Sequence, residues 1–386
     1  MPYITIPIRP KDRQLTFDDI LNGVKNLFDQ EERHTFDTRT VWRENIPDEL
    51  IKQYNVHSML FALERFNETY ANLIAVENKA TLYHSFSIPK RSGGLRPIDA
   101  PKEELMAALR DLKNLFEYKM FASYHTSAFA YIRGRCTKDA LERHQKNNSR
   151  WFLKLDFSNF FGSSTPSFIH SMLERIFPFS ELVKFENGKE ALTKALSLAF
   201  LKGGLPQGTP ISPILTNLMM IPIDHYLAKT MRDHSPRICY TRYADDLILS
   251  SELDFRFSDV QNEVIEILGK FGAPFSIKRE KTRYGSRTGR NWNLGLMLNK
   301  DNQITIGHKK KKHLKAMLFS LLTDYKKGVY WSINDAQTLR GLISYYVMIE
   351  KENIDKIIAE YSGKFGISVY DVIKLTMRGV PLAQAA

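Results

Sequence analysis

The sequence predicts an α+β fold in which helices cover one face of a mostly antiparallel sheet. Two apolar, strand-like segments carry this prediction: RWFLKLDFSNFF at 150–161 and RICYTRYADDLILSS at 237–251. Amphipathic helical segments lie between them and after them. With 386 residues, of which 43% are hydrophobic, the chain is long enough for roughly two or three closely packed subdomains around a substantial core.

The first part of the chain, residues 17–84, is predicted to be mainly helical. In TFDDILNGVKNLFDQ, one helical face collects the apolar residues Ile20, Val24, Leu27 and Phe28. Residues 83–101, YHSFSIPKRSGGLRPIDAP, contain two short extended runs joined by Gly-Gly and predict a hairpin. A helix is predicted over residues 102–120.

The strand at 150–161 places Asp156 near its carboxyl end. The next helix is predicted to begin with Ser164 or Thr165 as its N-cap and Pro166 in its first turn. Residues 212–231 again begin with Ser-Pro and are apolar on most sides. They predict a helix buried beneath the sheet, with a kink at Pro222.

The segment 237–251 predicts a strand, a tight turn and a second strand, with Asp245 and Asp246 at the tip. In the helix predicted after it, at 257–272, Ser258 and Gln261 are expected to form a capping box. The core face of that helix is predicted to contain Val260, Val264, Ile267, Leu268 and Phe271.

The last third of the sequence predicts two more extended segments, at 273–281 and 292–307. From Lys309 onward, three helical segments are predicted.

Charge is distributed unevenly along the chain. The formal net charge is +12, but residues 1–84 carry −3 and the remainder carries +15. Such a basic surface favours a polyanionic partner, above all nucleic acid, although a solvated charged face would give the same composition. The partner surface is therefore expected after residue 84.

The chain contains two cysteines, Cys136 and Cys239, and no Cys-x-x-Cys or Cys/His pattern. Neither a disulfide framework nor a structural zinc site is predicted. The amino terminus lacks a basic segment followed by an apolar one, and no apolar run approaches the roughly 20 residues needed to span a bilayer. We expect a cytoplasmic protein with no membrane segment.

The carboxylates of Asp156, Asp245 and Asp246 would meet if their strands are neighbours. Such a cluster repels itself, and divalent cations remove that cost. Mg²⁺ prefers oxygen ligands, and two ions about 3.5–4 Å apart can activate a hydroxyl and stabilise a leaving pyrophosphate. That chemistry is nucleotidyl transfer. The alternative for YADD alone is a solvent-exposed turn, because Asp is common in turns.

Six segments, taken in order, resemble the motifs of reverse transcriptases, in particular the bacterial branch with retron, group II intron and defence-associated enzymes. The resemblance runs from about residue 83 to about residue 315. SIPKRSGGLRPIDAP resembles the fingers hairpin, and FLKLDFSNFF and RYADD resemble the two catalytic strands. KGGLPQGTPISPILTNL resembles the nucleotide-positioning turn and helix, FSIKREKTRY the lysine-bearing strand, and NLGLMLN the primer-grip hairpin.

The resemblance implies a right-hand polymerase with fingers, palm and thumb, in which helices back an antiparallel palm sheet. The implied divisions are an N-terminal helical extension at 1–82, fingers and palm at 83–307, and a helical thumb and C-terminal region at 308–386. The implied activity is RNA-directed DNA polymerisation with two Mg²⁺ ions, for which Mn²⁺ could substitute.

The resemblance also implies roles for individual residues. Asp156 and Asp245 would be the metal ligands, joined by the backbone carbonyl of Phe157 and, in a supporting role, by Asp246. Lys281 would protonate or neutralise the leaving pyrophosphate. The implied dNTP-binding residues are Lys90, Arg96, Phe157, Phe161, Gln207 and Gly208.

Phe161 matches the aromatic steric gate that excludes a ribose 2′-hydroxyl, so the product should be DNA. Its neighbour Phe160 is expected to pack in the core. Two basic segments, KREKTRYGSRTGR at 278–290 and HKKKKHLK at 308–315, are expected to contact phosphate backbones. Within these segments, the residues expected to make the contacts are Arg283, Lys309, Lys310, Lys311 and Lys312.

The expected partners are dNTPs, the DNA product and an RNA template, in the form of a noncoding RNA, with a companion defence protein or a second copy of the chain as further candidates. The strings DALERH and WNLGL stand where retron enzymes usually carry other elements, and no nuclease segment follows the thumb-like region. Both observations favour a stand-alone enzyme of bacterial antiviral defence.

Two other functions stay open. The same fold could add nucleotides without a template, primed from a protein hydroxyl. A non-catalytic RNA-binding scaffold is the alternative of another class.

Overall fold

A computed structural model describes residues 40–43, 46–89, 93–119, 123–288, 292 and 295–378. The residues from Val41 onward form one compact unit. Its strands are β1 (Tyr83–Pro89), β2 (Leu95–Pro101), β3 (Trp151–Asp156), β4 (Cys239–Tyr243), β5 (Asp246–Ser251), β6 (Arg283–Ser286), β7 (Met297–Leu298) and β8 (Ile304–Thr305). The helical face predicted around Ile20 and Val24 lies outside the described residues.

Helices occupy most of the rest of the described chain. The α-helices before β4 are Asp48–Gln53, Val56–Thr69, Ala71–Ala75, Glu103–Asn114, Thr137–Lys146, Phe160–Ser163, Pro166–Leu173, Phe179–Leu182, Glu186–Leu196, Ser212–Met219 and Ile221–Asp233. Those after β5 are Phe257–Lys270, His308–Lys326, Ile333–Phe365 and Val369–Arg378. In the part of the chain that the structure describes, no helix is both long and apolar enough to cross a membrane.

A four-stranded antiparallel sheet with the order β4-β5-β3-β6 forms the centre of the unit. The register pairs Leu153 of β3 with Leu249 of β5, and Asp156 with Asp246. Two separate hairpins, β1–β2 and β7–β8, flank this sheet in sequence. The predicted α+β class, the hairpin at 83–101 and the strand–turn–strand at 237–251 are confirmed.

Local sequence signals explain where several helices begin and break. The Thr165 hydroxyl caps the helix Pro166–Leu173 by accepting from the Phe168 N–H at 3.3 Å, as the sequence predicted. The long apolar helix predicted at 212–231 is broken at Met220, two residues before Pro222, because a proline ring interferes with the preceding turn.

Two local predictions are wrong. The helix Phe257–Lys270 has Arg256 at its N-cap and no side-chain cap, so Ser258 lies inside its first turn and forms no capping box. Lys281 was expected on a strand, but it lies on a 3₁₀ turn, Arg279–Lys281, that precedes β6. Only Ile277 of the predicted strand bridges to the sheet, opposite Phe157.

One hydrophobic cluster connects the central sheet to the C-terminal helices. Phe152 of β3 and Ile248 of β5 belong to the same buried cluster as Leu318, Leu339 and Ile343. Burial of this kind stabilises by about 25 cal/mol for each Å² of apolar surface, so the C-terminal helices are held mainly by packing. The core face predicted for Phe257–Lys270, including Val260 and Val264, is also buried.

A buried histidine ties the helix Thr137–Lys146 to the sheet. The Ser250 hydroxyl donates to Ser149, so His144 Nδ1–H donates to Ser250 Oγ at 2.6 Å, and Nε2 accepts from the Thr241 hydroxyl at 2.7 Å. Burial, with help from the charge of Arg143, lowers the pKa of His144 from 6.5 to about 3. The imidazole is therefore neutral in the folded protein.

This histidine predicts a pH dependence of stability. Because the folded pKa lies below the unfolded one, the contribution of His144 is complete above pH 6.5 and is lost as pH falls toward 3, by about 1.4 kcal/mol per pH unit. The free energy of unfolding of His144→Gln, measured in urea, should depend less on pH than that of wild type, and between pH 6.5 and 5 the two slopes should differ by up to about one proton. His57→Gln, at an exposed histidine, should keep the wild-type slope, and equal slopes in all three proteins would contradict the prediction.

Candidate active site

The three acidic residues singled out in the sequence lie together at one end of the sheet. Asp156 ends β3 and is paired across the ladder with Asp246, the first residue of β5. The Phe157 N–H donates to the backbone oxygen of Asp245 at 3.0 Å, which fixes the β4–β5 turn beside the end of β3. Only 6% of Asp156 is exposed.

The β4–β5 turn has a backbone conformation that is uncommon for its residues. Tyr243 pairs with Asp246, so Ala244 and Asp245 form a two-residue loop. Ala244 has φ +56°, the left-handed region that glycine usually occupies at the first position of such a turn. Strained backbone persists where the surroundings hold it in place, and here it presents the Asp245 side chain at the tip.

A buried ion pair provides that support. The guanidinium of Arg242 donates to both carboxylate oxygens of Asp224, on the helix Ile221–Asp233, at 2.7 to 3.1 Å. It also donates to the backbone oxygen of Ala244 at 3.2 Å, and Tyr240 donates to Asp224 at 2.7 Å. Both charged side chains are fully buried, so the turn is tied to the helix beneath the sheet.

Lysines neutralise two of the three carboxylates. Lys281 Nζ contacts both oxygens of Asp156 at 3.0 and 3.1 Å, and Lys278 Nζ lies 3.4 Å from Asp156 Oδ1. Lys154, two residues before Asp156 on the same face of β3, donates to Asp246 at 2.7 Å. No comparable ion pair joins Asp245 to a described lysine or arginine.

The pKa values of the turn carboxyls reflect this arrangement. Burial raises the pKa of Asp245, and the charges of Asp246 and Asp156 raise it further while Lys281 opposes them. Burial also raises the pKa of Asp246, against the lowering effect of Lys154. For Lys281, burial lowers the pKa, but the contact with Asp156 and the charge of Asp245 outweigh it and give a net rise.

Asp245 lines a cleft of about 810 Å³. Its walls combine residues that were predicted for catalysis and for dNTP binding: Arg96, Phe157, Phe161, Gln207, Asp245 and Lys281. A neighbouring cavity of about 550 Å³ shares four of them, Arg96, Phe161, Gln207 and Asp245, and also contains Gly208. Lys90 lies outside the described residues.

Phe160 and Phe161 point in different directions, as the sequence predicted. Phe160 is 3% exposed and packs its ring on Phe157 and Phe275. Phe161 is only partly buried and lines both cavities. Its backbone oxygen accepts from the Leu205 N–H at 3.0 Å, which holds the short helix after β3 in place.

The LPQG loop packs against the hairpin strand β2. The Asp99 N–H donates to the Gln207 backbone oxygen at 3.2 Å. Gly208 has φ +113°, and a Cβ there would lie 3.2 Å from Ile98, so any other residue would be both strained and crowded. The loop therefore places Gln207 between the hairpin and the carboxylates.

Some residues of the site were missed by sequence reasoning. Tyr131 lies at φ +60°, lines the second cavity and meets the Phe161 ring edge-on, with centroids 6.4 Å apart. The sequence did not point to it, because a tyrosine in a loop carries no periodic signal. Lys278 and Lys154 were also missed, although the charge alternation in FLKLD could have suggested Lys154 as a counter-ion.

The basic run at the start of the helix His308–Lys326 divides into two groups. Lys310 donates to the Gly295 carbonyl at 2.8 Å and Lys311 pairs with the buried Glu350 at 2.7 Å, so both have partners within the protein. Lys309 and Lys312 are exposed. Arg283 lies exposed on β6, where its backbone pairs with Lys154.

Residues 88–316 match the reverse transcriptase (RNA-dependent DNA polymerase) family. The chain belongs to this family. The match covers more than half of the chain and contains Asp156, Asp245 and Asp246. The fold is thus that of a right-hand polymerase, and the enzyme is an RNA-directed DNA polymerase, as the sequence predicted.

Bacterial retron enzymes are among the relatives of this reverse transcriptase. The retron Ec83 reverse transcriptase of Escherichia coli is 29% identical over 307 residues, covering 78% of this chain and 92% of the relative. The retron Mx65 reverse transcriptase of Myxococcus xanthus is 28% identical, covering 71% of this chain and 63% of the relative. The departures at DALERH and WNLGL therefore do not separate the chain from retron enzymes.

Among solved structures, apo telomerase from Candida tropicalis aligns with a TM-score of 0.44 at 14% identity. The alignment covers 79% of this chain and 63% of the telomerase chain.

The donor set of the site suits a hard divalent cation, because all three side chains offer only carboxylate oxygens. Within the described ranges, no three or more His, Cys, Asp or Glu side chains already surround a common metal position. In the structure Lys281 and Lys278 contact Asp156, and Lys154 contacts Asp246. A metal would have to take over oxygens that ammonium groups now hold.

The raised pKa of Asp245 predicts an effect on stability that does not depend on activity. At pH 8 the ionised carboxylate costs stability in EDTA, so Asp245→Asn should unfold at a higher urea concentration than wild type. Millimolar Mg²⁺ should stabilise the wild type more than the variant, because binding to the folded state adds stability. Asp233→Asn, at a carboxylate 57% exposed, is the control. A less stable Asp245→Asn in EDTA would contradict the prediction.

Proposed function

We propose that this reverse transcriptase extends DNA by two-metal nucleotidyl transfer at Asp156 and Asp245. The observation that carries the proposal is the β3–β5 register, which brings carboxylates 89 residues apart in sequence to one end of the sheet. Asp246 keeps the supporting role that the resemblance implies, and Lys154 donates to it at 2.7 Å.

Mg²⁺ is the proposed cofactor, with Mn²⁺ as a substitute, held by Asp156, Asp245 and the backbone carbonyl of Phe157. When bound, the ions would supply the charge that activates the primer hydroxyl and stabilises the leaving pyrophosphate. The chain's own residues prepare this site: the Arg242–Asp224 pair holds the turn, and burial keeps Asp245 poorly hydrated.

Lys281 is proposed to change partners during the reaction. Its ammonium now neutralises Asp156, and its raised pKa keeps it protonated. With Asp156 engaged as a metal ligand, the Lys281 ammonium would be available to the leaving pyrophosphate. Lys281 borders the same cleft as Arg96, so the shift would be a side-chain rotation rather than a movement of the backbone.

Arg96 is proposed to bind the triphosphate as a planar fork, together with Lys90 of the same hairpin. Gln207 and Gly208 would contact the incoming nucleotide, since both border the second cavity with Arg96. Phe161 would lie under the sugar and exclude the ribose 2′-hydroxyl. Tyr131, whose ring meets Phe161 edge-on, would hold the Phe161 ring in place.

We also propose the biological setting and the division into parts. The divisions are an N-terminal helical extension at 1–82, fingers and palm at 83–307 and a thumb at 308–386. Arg283, Lys309 and Lys312 would contact the nucleic-acid backbone. The template would be a noncoding RNA in a bacterial antiviral defence system, which the retron relatives support. A cytoplasmic location fits the two unpaired cysteines.

The catalytic proposal is tested by Asp245→Asn. Incorporation of dNTPs with Mg²⁺ on a primed RNA template should fall by at least about 10³-fold, because the turn loses the charge that holds the metal. Asp246→Asn should retain more activity than Asp245→Asn, and Asp233→Asn should be unaffected. Circular dichroism would confirm that each variant is folded. Wild-type turnover in a folded Asp245→Asn variant would contradict the proposal.

Sugar selection is tested by Phe161→Val and Tyr131→Ala. Phe161→Val should admit ribonucleotides, since its smaller side chain leaves room for the 2′-hydroxyl. Tyr131→Ala should relax the same discrimination by a smaller factor, whereas Tyr131→Phe should not, because the supporting ring is kept. The readout is the ratio of kcat/KM for dNTP and rNTP, and an unchanged ratio in Phe161→Val would count against the gate.

Untemplated or protein-primed synthesis by the same fold is the alternative. Sequencing the products made with and without a defined RNA decides between the two: products complementary to the RNA support templated synthesis, and RNA-independent sequences support the alternative.

A further inference from the structure

A basic pocket of about 340 Å³ lies apart from the catalytic cleft. Four of the residues that line it are cationic: Arg143, Lys146, Arg232 and Arg237. The others include Ser127, Asn147 and Ile238, and no acidic side chain of the described chain lines it. None of its lining residues borders the 810 Å³ cleft or the neighbouring cavity.

The pocket is at the opposite end of β4 from the catalytic turn. Cys239, which begins β4, lines the pocket, and Tyr243, which ends β4, precedes the turn. At about 3.3 Å per residue the two ends are about 13 Å apart. A phosphate group in this pocket therefore cannot be one that is bound beside Asp245.

The need to balance helix dipoles does not by itself explain the four cations of this pocket. Arg143 and Lys146 lie in the last turn of Thr137–Lys146, and Arg232 in that of Ile221–Asp233, where cations complement the helix dipole. Two helix ends contribute about −0.5 charge each, so four cations leave an excess of about +3. Asp233 pairs only with Arg232, at 3.4 Å between side chains that are both mostly exposed, and such a pair offsets little.

The pocket also contains polar groups that can bind a ligand. Ser127 is 3% exposed, and it lines the pocket. Arg143 is half-buried, and its guanidinium lies over the Phe129 ring at 5.3 Å, which restrains its position. Guanidinium groups bind phosphate oxygens through two parallel hydrogen bonds, and a buried hydroxyl can donate a third.

We propose that this pocket is a second phosphate-binding site, which holds the backbone of an RNA strand outside the catalytic cleft. Its volume suits one nucleotide unit. The exposed side chains of Lys146, Arg232 and Arg237 allow the strand to continue past the pocket on either side. The proposal rests on the RNA partner proposed above. The pocket would hold that RNA at a fixed position while the primer end is extended in the catalytic cleft.

The test is a triple variant, Lys146→Gln, Arg232→Gln and Arg237→Gln. Affinity for an unprimed single-stranded RNA of about 60 nucleotides should fall at least about 10-fold near 0.1 M salt, and the salt dependence of log affinity should weaken by about 2, since each lost phosphate contact contributes about 0.7. Turnover of dNTPs on a short, blunt-ended primer–template should stay unchanged. The matched control removes the same charge from three exposed lysines, with Lys184→Gln, Lys189→Gln and Lys194→Gln.

Three results would overturn the proposal. One is equal loss of RNA affinity in the triple variant and the control. Another is unchanged RNA affinity in the triple variant. The third concerns AMP, whose binding is measured by calorimetry. If wild type binds AMP, and the triple variant loses AMP binding but keeps its RNA affinity, the pocket binds a free nucleotide. Because Asp245→Asn should keep this RNA binding while losing turnover, failure of the pocket and failure of the catalytic assignment give different results.

Discussion

The antiparallel register between β3 and β5 is the constraint on which the active site depends. It places Asp156 opposite Asp246 and brings the β4–β5 turn, with Asp245, against the end of β3. Like charges held this close destabilise the fold unless they are neutralised. The surrounding structure supplies that neutralisation from three lysines, and leaves Asp245 without an ion-pair partner among the described cations.

The ion pair that supports the β4–β5 turn and the lysines that neutralise the carboxylates have different roles. The fully buried Arg242–Asp224 pair holds the strained backbone at Ala244, and removal of one partner from such a pair typically costs about 3–5 kcal/mol. The lysines, by contrast, are partly exposed and can release their carboxylates. A rigid turn with partly exposed counter-ions suits the proposed site, which would accept cations and a charged substrate in turn.

Sequence patterns predicted most of the fold because strands, helices and turns depend on near neighbours. The hairpin at 83–101, the cap at Thr165 and the break before Pro222 all follow from local chemistry. Apart from the capping box expected at Ser258, which is a local failure, what the sequence did not predict depends mostly on contacts between distant segments. Lys281 lies on a 3₁₀ turn, Lys278 and Lys154 are counter-ions, and Tyr131 reaches Phe161 from another loop. Likewise, a run of lysines did not reveal that Lys310 and Lys311 have partners inside the protein.

The most direct test of the central claim is a crystal structure of the wild-type protein with a primed RNA template, a non-hydrolysable dNTP and Mn²⁺. The anomalous scattering of Mn²⁺ would locate the metal. The account predicts a metal peak between Asp156 and Asp245, with Lys281 displaced from Asp156 and turned toward the triphosphate. An intact Lys281–Asp156 ion pair, with Mn²⁺ bound away from both carboxylates, would contradict it.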